Sequence, residues 1–196
     1  MAIGQPHDEL ERHFTPERLA ELCIDRLQSW HEPIVIEPSV GDGAFIPAAR
    51  RRWPGCSIIG IDIDYGAKGL HLVDYAIVEP FEQVSVLELR RLVRELERQR
   101  GRHRPLISIG NSPFSIAASH LQQAFRIGCV EVSSILPLAV GEGCGQWKDM
   151  VDHHPPEWVD PIEGRPWPAI VRGTGQWTWS RFPGQYRWRP MIRGWR

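Results

Sequence analysis

The sequence predicts an α/β fold, a mostly parallel sheet with helices packed on both faces. Short runs of β-branched residues alternate along the chain with stretches of helical periodicity, a pattern that implies parallel strands joined by helical crossovers. Runs such as IVIE and LISIG are near-continuously apolar rather than apolar at every second residue, as in strands covered on both sides. The 196 residues fit one core, and 42% hydrophobic with 24% charged residues is ordinary for a globular chain.

Residues 15–30 (TPERLAELCIDRLQSW) predict the first helix. Thr15 is the expected N-cap, Pro16 sits where a missing N–H costs nothing, and Leu19, Leu22, Leu27 and Trp30 fall near one face. Pro33 ends it. IVIE at 34–37 predicts a buried strand, PSVGDGAF at 38–45 a turn, and 46–53 a helix stopped before Pro54. A second strand is expected at 57–63 (SIIGIDI). The stretch 70–78 is ambiguous, although HLVDYAIV is compatible with a third strand. Residues 85–100 carry Val86, Leu89, Leu92, Val93 and Leu96 at helical spacing. LISIG at 106–110 predicts another strand, 115–128 a helix stopped by Gly128, and VEVSSILPL at 130–138 a further strand. From Gly141 periodicity is lost and Gly, Pro and Trp dominate. Residues 1–140 are expected to form the core, with 141–196 as loops and one or two edge strands packed on it.

Several classes are set aside. No run approaches the roughly 18 apolar residues of a membrane span, and MAIGQPHDELERHF lacks the basic start and apolar centre of a signal peptide. A cytoplasmic protein without a membrane partner is expected. Cys23, Cys56, Cys129 and Cys144 form neither a CxxC pair nor a dense framework, so free thiols are expected. His153 and His154 lie near Asp149 and Asp152, but no second cluster completes a metal site, and a solvated loop is the reading. Arg50–Arg52 and the stretch from Arg90 to Arg104 read as solvated helix faces.

The net charge of −1 conceals an uneven distribution: residues 171–196 hold six Arg, four Trp and no acid, for +6, against −7 elsewhere. Arg interleaved with Trp fits a segment that tracks phosphates and stacks bases. It fits better a set of short strands whose Trp pack under the sheet while Arg reach outward.

Two segments carry candidate chemistry. EPSVGDGAF, Glu37 to Phe45, follows a strand and precedes a helix. Gly41 and Gly43 permit a tight turn and close approach of a ligand, and the helix start offers unpaired N–H groups. Asp62, at the end of the second strand, suits hydrogen bonding to ribose hydroxyls. Glu37 and Asp42 would repel a pyrophosphate, whereas S-adenosylmethionine (SAM), with its amino group, sulfonium and ribose, matches an acidic loop. A plain strand–turn–helix connection remains the other reading. Asn111-Ser112-Pro113-Phe114 also follows a strand. Its Asn amide oxygen and the carbonyl of Ser112, held extended by Pro113, offer two acceptors for an amine, and Phe114 offers a stacking face. It too reads as an ordinary turn. No His or Lys is expected near this tetrapeptide, in keeping with a reaction that needs no tuned base.

In order, HFTP (13–16), EPSVGDGAF (37–45), IIGIDID (58–64) and GNSPFS (110–115) resemble the SAM-dependent amino-methyltransferases. Within them they are most similar to the N6-adenine DNA methyltransferases, especially the small enzymes coded by phages and prophages. The resemblance covers roughly residues 13–140 and continues more loosely through RPWPAIVRGTGQW. It implies a Rossmann-like SAM-dependent methyltransferase fold, SAM as cofactor, and DNA, or RNA, met through the basic Trp-rich tail. It also implies that Thr15 and Pro16 flank the cofactor, that Glu37, Pro38, Gly41, Asp42, Gly43 and Phe45 form its loop, and that Asp62 binds its ribose. Glu79 and Phe81 would lie near its adenine. Asn111, Ser112, Pro113 and Phe114 would stand for the family's NPPF/NPPY tetrapeptide, which holds the target amine. Ser112 departs from the Pro usual at that position, a loss of ring restraint worth about 0.4–1 kcal/mol of chain entropy. The same tetrapeptide serves RNA and protein-glutamine acceptors, and a non-catalytic protein of the same fold is the reading that Ser112 favours.

Overall fold

The computed structural model describes residues 14–137, 147–148, 153–154, 158–161 and 168–174. Among these, the elements run α1 (Glu17–Asp25), β1 (Ile34–Pro38), α2 (Phe45–Arg52), β2 (Ser57–Asp62), β3 (Tyr75–Val78), α3 (Val86–Arg100), β4 (Leu106–Gly110), α4 (Ala117–Ile127), β5 (Glu131–Pro137), β6 (Trp158–Pro161) and β7 (Pro168–Thr174). Short 3-10 turns at Lys68–His71 and Phe81–Gln83 flank β3.

One sheet contains all the strands, in the order β3-β2-β1-β4-β5-β7-β6. The first five are parallel to one another, while β7 runs antiparallel to both β5 and β6. Of the two strands described in the C-terminal stretch, β6 is an edge, whereas β7 sits between β5 and β6. Every tail Trp and five of its six Arg lie outside the described residues, as do Cys144, Asp149 and Asp152.

Alternation along each strand splits the core in two. Ile34, Ile36, Ile59, Ile61, Val132 and Leu136 meet α3 and α4 on one face. Val35, Ile58, Ile107, Ile109 and Ile135 meet α1 and α2 on the other. Helix ends follow local chemistry: Ser85 Oγ accepts the Glu88 N–H at the start of α3, and Gly101 and Gly128 close α3 and α4 in the left-handed region.

Helix α1 is shorter than its apolar spacing predicts. Pro16, not Thr15, occupies the N-cap, with its carbonyl accepting Leu19 and Ala20 N–H. Beyond Asp25 the chain is captured by Glu131, a wholly buried carboxylate that accepts the Gln28 N–H (3.1 Å) and the Trp30 indole N–H (2.6 Å).

The arginines of α2 and α3 lie on largely solvated faces, as expected, and several also bond to neighbouring elements. Arg51 bridges to Glu17 and Glu21 on α1, and Arg50 to Asp74, so these groups brace neighbouring elements; exposed pairs of this kind contribute about 0–1 kcal/mol each. Arg90 donates to the Arg126 and Ile127 carbonyls at the end of α4. Arg104 is no solvated residue at all, being 1% exposed beneath the amino ends of the strands.

Cys23, Cys56 and Cys129 are buried and free. Burial raises all three thiols, Cys56 to about 11, which keeps them protonated and unreactive at neutral pH. No described helix is long and apolar enough to cross a membrane. His154 is not simply solvated: its ring stacks on Phe125 with centroids 4.1 Å apart.

A close contact shapes the loop after β1. Gly69, in the Lys68–His71 turn, donates its N–H to the Gly41 carbonyl at 2.8 Å. A Cβ at Gly69 would stand 2.0 Å from Val40 Cγ1 and 2.8 Å from the Gly43 backbone. Gly69→Ala is therefore expected to cost about 1–3 kcal/mol, read as a lower midpoint in denaturant; an unchanged midpoint would refute the packing argument.

Candidate functional site

The carboxyl ends of β1, β2 and β4 converge because the strands are parallel and in register, with Glu37 opposite Gly60 and Ile36 opposite Ser108. Strand order reverses between β1 and β4, the place where open parallel sheets form a ligand crevice. A cavity of about 400 Å³ lies there, lined by Gly41, Asp42, Asp62, Glu79, Phe81, Asn111 and Pro113 among others. A second hollow of about 40 Å³ adjoins it, bounded by Thr15, Glu37, Gly41, Asp42, Phe45 and Asn111. Two segments far apart in sequence thus share one crevice.

The loop is built by local bonds. Asp62 Oδ2 accepts the Gly41 N–H and Oδ1 the Asp64 N–H, both at 2.9 Å, so this carboxylate ties the ends of β1 and β2 together while lining the cavity. Gly41 has a φ of +53° with open space where a Cβ would stand. Gly43, at φ +81°, faces the protein, since a Cβ there would meet Gly69 at 2.9 Å. Ser39 adopts φ +92°, a region that costs a non-glycine residue about 1–3 kcal/mol. It lines both hollows, and no residue preference in the sequence marks it.

Glu37 is the most unusual group. It is 1% exposed, and its Oε2 has no hydrogen-bond partner. Burial first, and the negative Asp62 second, push its carboxyl well above the usual range. The folded chain therefore holds this proton at pH values where the unfolded chain has lost it, so stability falls as pH rises from about 4.3 through the folded-state value. Glu37→Gln removes that loss. Its melting temperature should exceed that of the wild type by a margin that widens with rising pH; a constant margin would show Glu37 to be ordinary.

Asn111 is half-buried, and its Nδ2 donates to Thr15 Oγ1 at 3.1 Å, which fixes the amide plane. The remaining predicted residues stand back from the cavity wall. Pro16 caps α1, Pro38 ends β1, Phe114 is half-buried, and Ser112 is 5% exposed with its side chain turned inward to His120.

One expectation is overturned here. A histidine does meet the tetrapeptide: His120 Nδ1 lies 2.9 Å from Ser112 Oγ, and its Nε2 lies 3.1 Å from Glu82 Oε2. His120 is 4% exposed, lines the cavity, and has its pKa lowered by burial against the opposing pull of Glu82. His120 stands in the first turn of α4 while Ser112 lies in the segment before that helix, so no helical spacing in the sequence links the two.

No family model and no curated protein matches this sequence. Solved structures do match the fold. A class I SAM-dependent methyltransferase from Listeria monocytogenes superimposes with a TM-score of 0.63 at 10% identity, over 95% of this chain and 68% of that one. An RNA methyltransferase from Pyrococcus horikoshii gives 0.61 at 16% identity, over 89% and 92%. Geranyl diphosphate methyltransferase in complex with SAM gives 0.50 at 10% identity, over 82% and 85%. The chain has the Rossmann-like fold of class I SAM-dependent methyltransferases. The acceptors named for these neighbours differ, so the fold alone does not select one.

Proposed function

We propose that the protein binds SAM and transfers its methyl group to the N6 amine of adenine in DNA. The observation that carries this reading is the buried, unpartnered Glu37 oxygen, set in an acidic crevice that Asn111 closes from the other side. A cationic amino group placed there would let Glu37 release its proton and pair with it as a carboxylate. The residues present fit SAM. Glu37 would hold its ammonium, Asp62 its ribose hydroxyls, and Glu79 and Phe81 would border its adenine.

SAM supplies a methyl group on a sulfonium, which a neutral amine can displace without prior deprotonation. The chain's task is then to place the amine and to stabilise charge. Asn111 Oδ1 and the Ser112 carbonyl would accept the two amine hydrogens, and both acceptors gain strength as the nitrogen becomes positive. Phe114 would stack on an adenine turned out of the duplex. The choice of DNA rests on the sequence resemblance and on the basic, Trp-rich stretch 171–196, which would meet the phosphates.

The deciding experiment incubates the protein with tritiated SAM and DNA, RNA or protein, then digests the labelled product to nucleosides. N6-methyladenine from DNA is expected. Label in RNA or protein alone would move the acceptor, and no label in any of them would overturn the catalytic reading. Calorimetry should in addition give weaker SAM binding for Glu37→Gln; equal affinity would remove Glu37 from the cofactor site.

A further inference from the structure

We propose that His120 and Glu82 are positioning residues for the amine-holding segment, fixing Ser112 from behind so that Asn111 and Pro113 on either side of it keep their place in the cavity wall. This deepens the methyl-transfer reading above and rests on it.

Three separate elements meet in this chain of contacts. Glu82 comes from the 3-10 turn Phe81–Gln83, His120 from α4, and Ser112 from the segment after β4. A carboxylate oxygen 3.1 Å from Nε2 places the ring proton on that nitrogen. In the neutral ring Nδ1 is then an acceptor, and the Ser112 hydroxyl, 2.9 Å away, donates to it. The assembly is braced twice more. The His120 ring stands edge-on to Phe81, with centroids 5.3 Å apart at 89°, and Gln123 Nε2 donates to the Val84 carbonyl at 2.6 Å.

The physical need for such a brace lies at position 112. Pro113 biases the preceding residue toward an extended shape but leaves the φ of Ser112 free to vary. A side chain that is 5% exposed and bonded to a 4% exposed imidazole removes much of that freedom. Burying Ser, His and Gln against one short turn also costs desolvation that apolar packing would not. The hydroxyl does not act as a nucleophile, because Asn111 and Pro113 line the cavity while Ser112 does not.

The test compares kcat for methyl transfer in the full chain and five variants, with each fold checked by circular dichroism. His120→Ala and Ser112→Ala should each lower kcat by roughly 10–100-fold, the size of a small misplacement of reacting groups. The double variant should lose no more than either single one, because both break the same link. Ser112→Pro, whose ring fixes φ covalently, should restore most of the rate when added to His120→Ala. Three outcomes would overturn the inference: a wild-type kcat in His120→Ala, losses that multiply in the double variant, or an active Ser112→Pro protein that fails to rescue His120→Ala. Should Ser112→Pro itself not fold, the Ser112→Ala/His120→Ala comparison decides alone. A wild-type protein that transfers no methyl group would instead overturn the underlying reading and this inference with it.

Discussion

Asn111→Ala is expected to lower methyl transfer by on the order of 10²–10³-fold, the usual loss when one preorganised polar partner of a transition state is removed. SAM binding should change little. Asn111 closes the cavity wall, but the cationic end of the cofactor is assigned to Glu37 and its ribose to Asp62, on other strands. The variant also frees Thr15 Oγ1 from the amide 3.1 Å away; Thr15 is only partly buried, so water can replace that partner at small cost. Single-turnover kinetics with calorimetry separates the two effects. A normal rate would remove Asn111 from the chemistry, whereas lost SAM binding at a normal chemical rate would make it a cofactor ligand instead.

The largest stability effect is expected at Arg104. Its Nε donates to the Glu32 carbonyl at 2.7 Å, Nη1 to Ser57 Oγ at 2.9 Å, and Nη2 to the Pro33 and Gly55 carbonyls at 3.1 and 3.0 Å. One guanidinium thus joins the entries to β1 and β2 from a position just before β4. Its backbone N–H is also taken, by Glu97 Oε1 at 2.9 Å. Arg104→Ala would leave several buried acceptors without donors and open a cavity, at a cost of about 3–5 kcal/mol. At ~2–4 °C per kcal/mol for a chain of this size, the melting temperature should fall by roughly 6–20 °C. Arg104→Lys should recover only part of this, because an ammonium cannot span the forked set of acceptors. A loss below about 1 kcal/mol for Arg104→Ala would mean that water fills the site at little cost.

The legible parts of the fold were those written into neighbouring residues. β1, β2 and β4 are mostly apolar runs, and a buried parallel strand needs nothing else to announce itself. β3 was ambiguous because it lies at the sheet edge, with half-buried and exposed residues alternating over only four positions. Helix α1 was read too long because Leu27 is indeed buried, which kept the apolar spacing going after the helix had ended. What ends it there is Glu131, more than a hundred residues away.

The candidate site divides along the same line. Asp62, Asn111 and the Gly41 turn were recognisable because strand ends and turn residues sit at fixed positions along the chain. Glu37 was recognised as acidic, but its orphaned oxygen depends on the surroundings that exclude water. His120 was passed over because its partners, Ser112 and Glu82, come from two other elements, the second 38 residues away.

By itself, then, the sequence determined the parallel sheet, the order of its strands and helices along the chain, and the two loops that line the crevice, because periodicity and turn preference act over a few neighbouring residues. Tertiary structure alone decided which polar groups are buried and what they touch. Arg104 and the arginines of α2 looked alike as letters. One is sealed under the strands by four oxygens and the others reach across the surface, since burial and long-range hydrogen bonds exist only once distant segments have met.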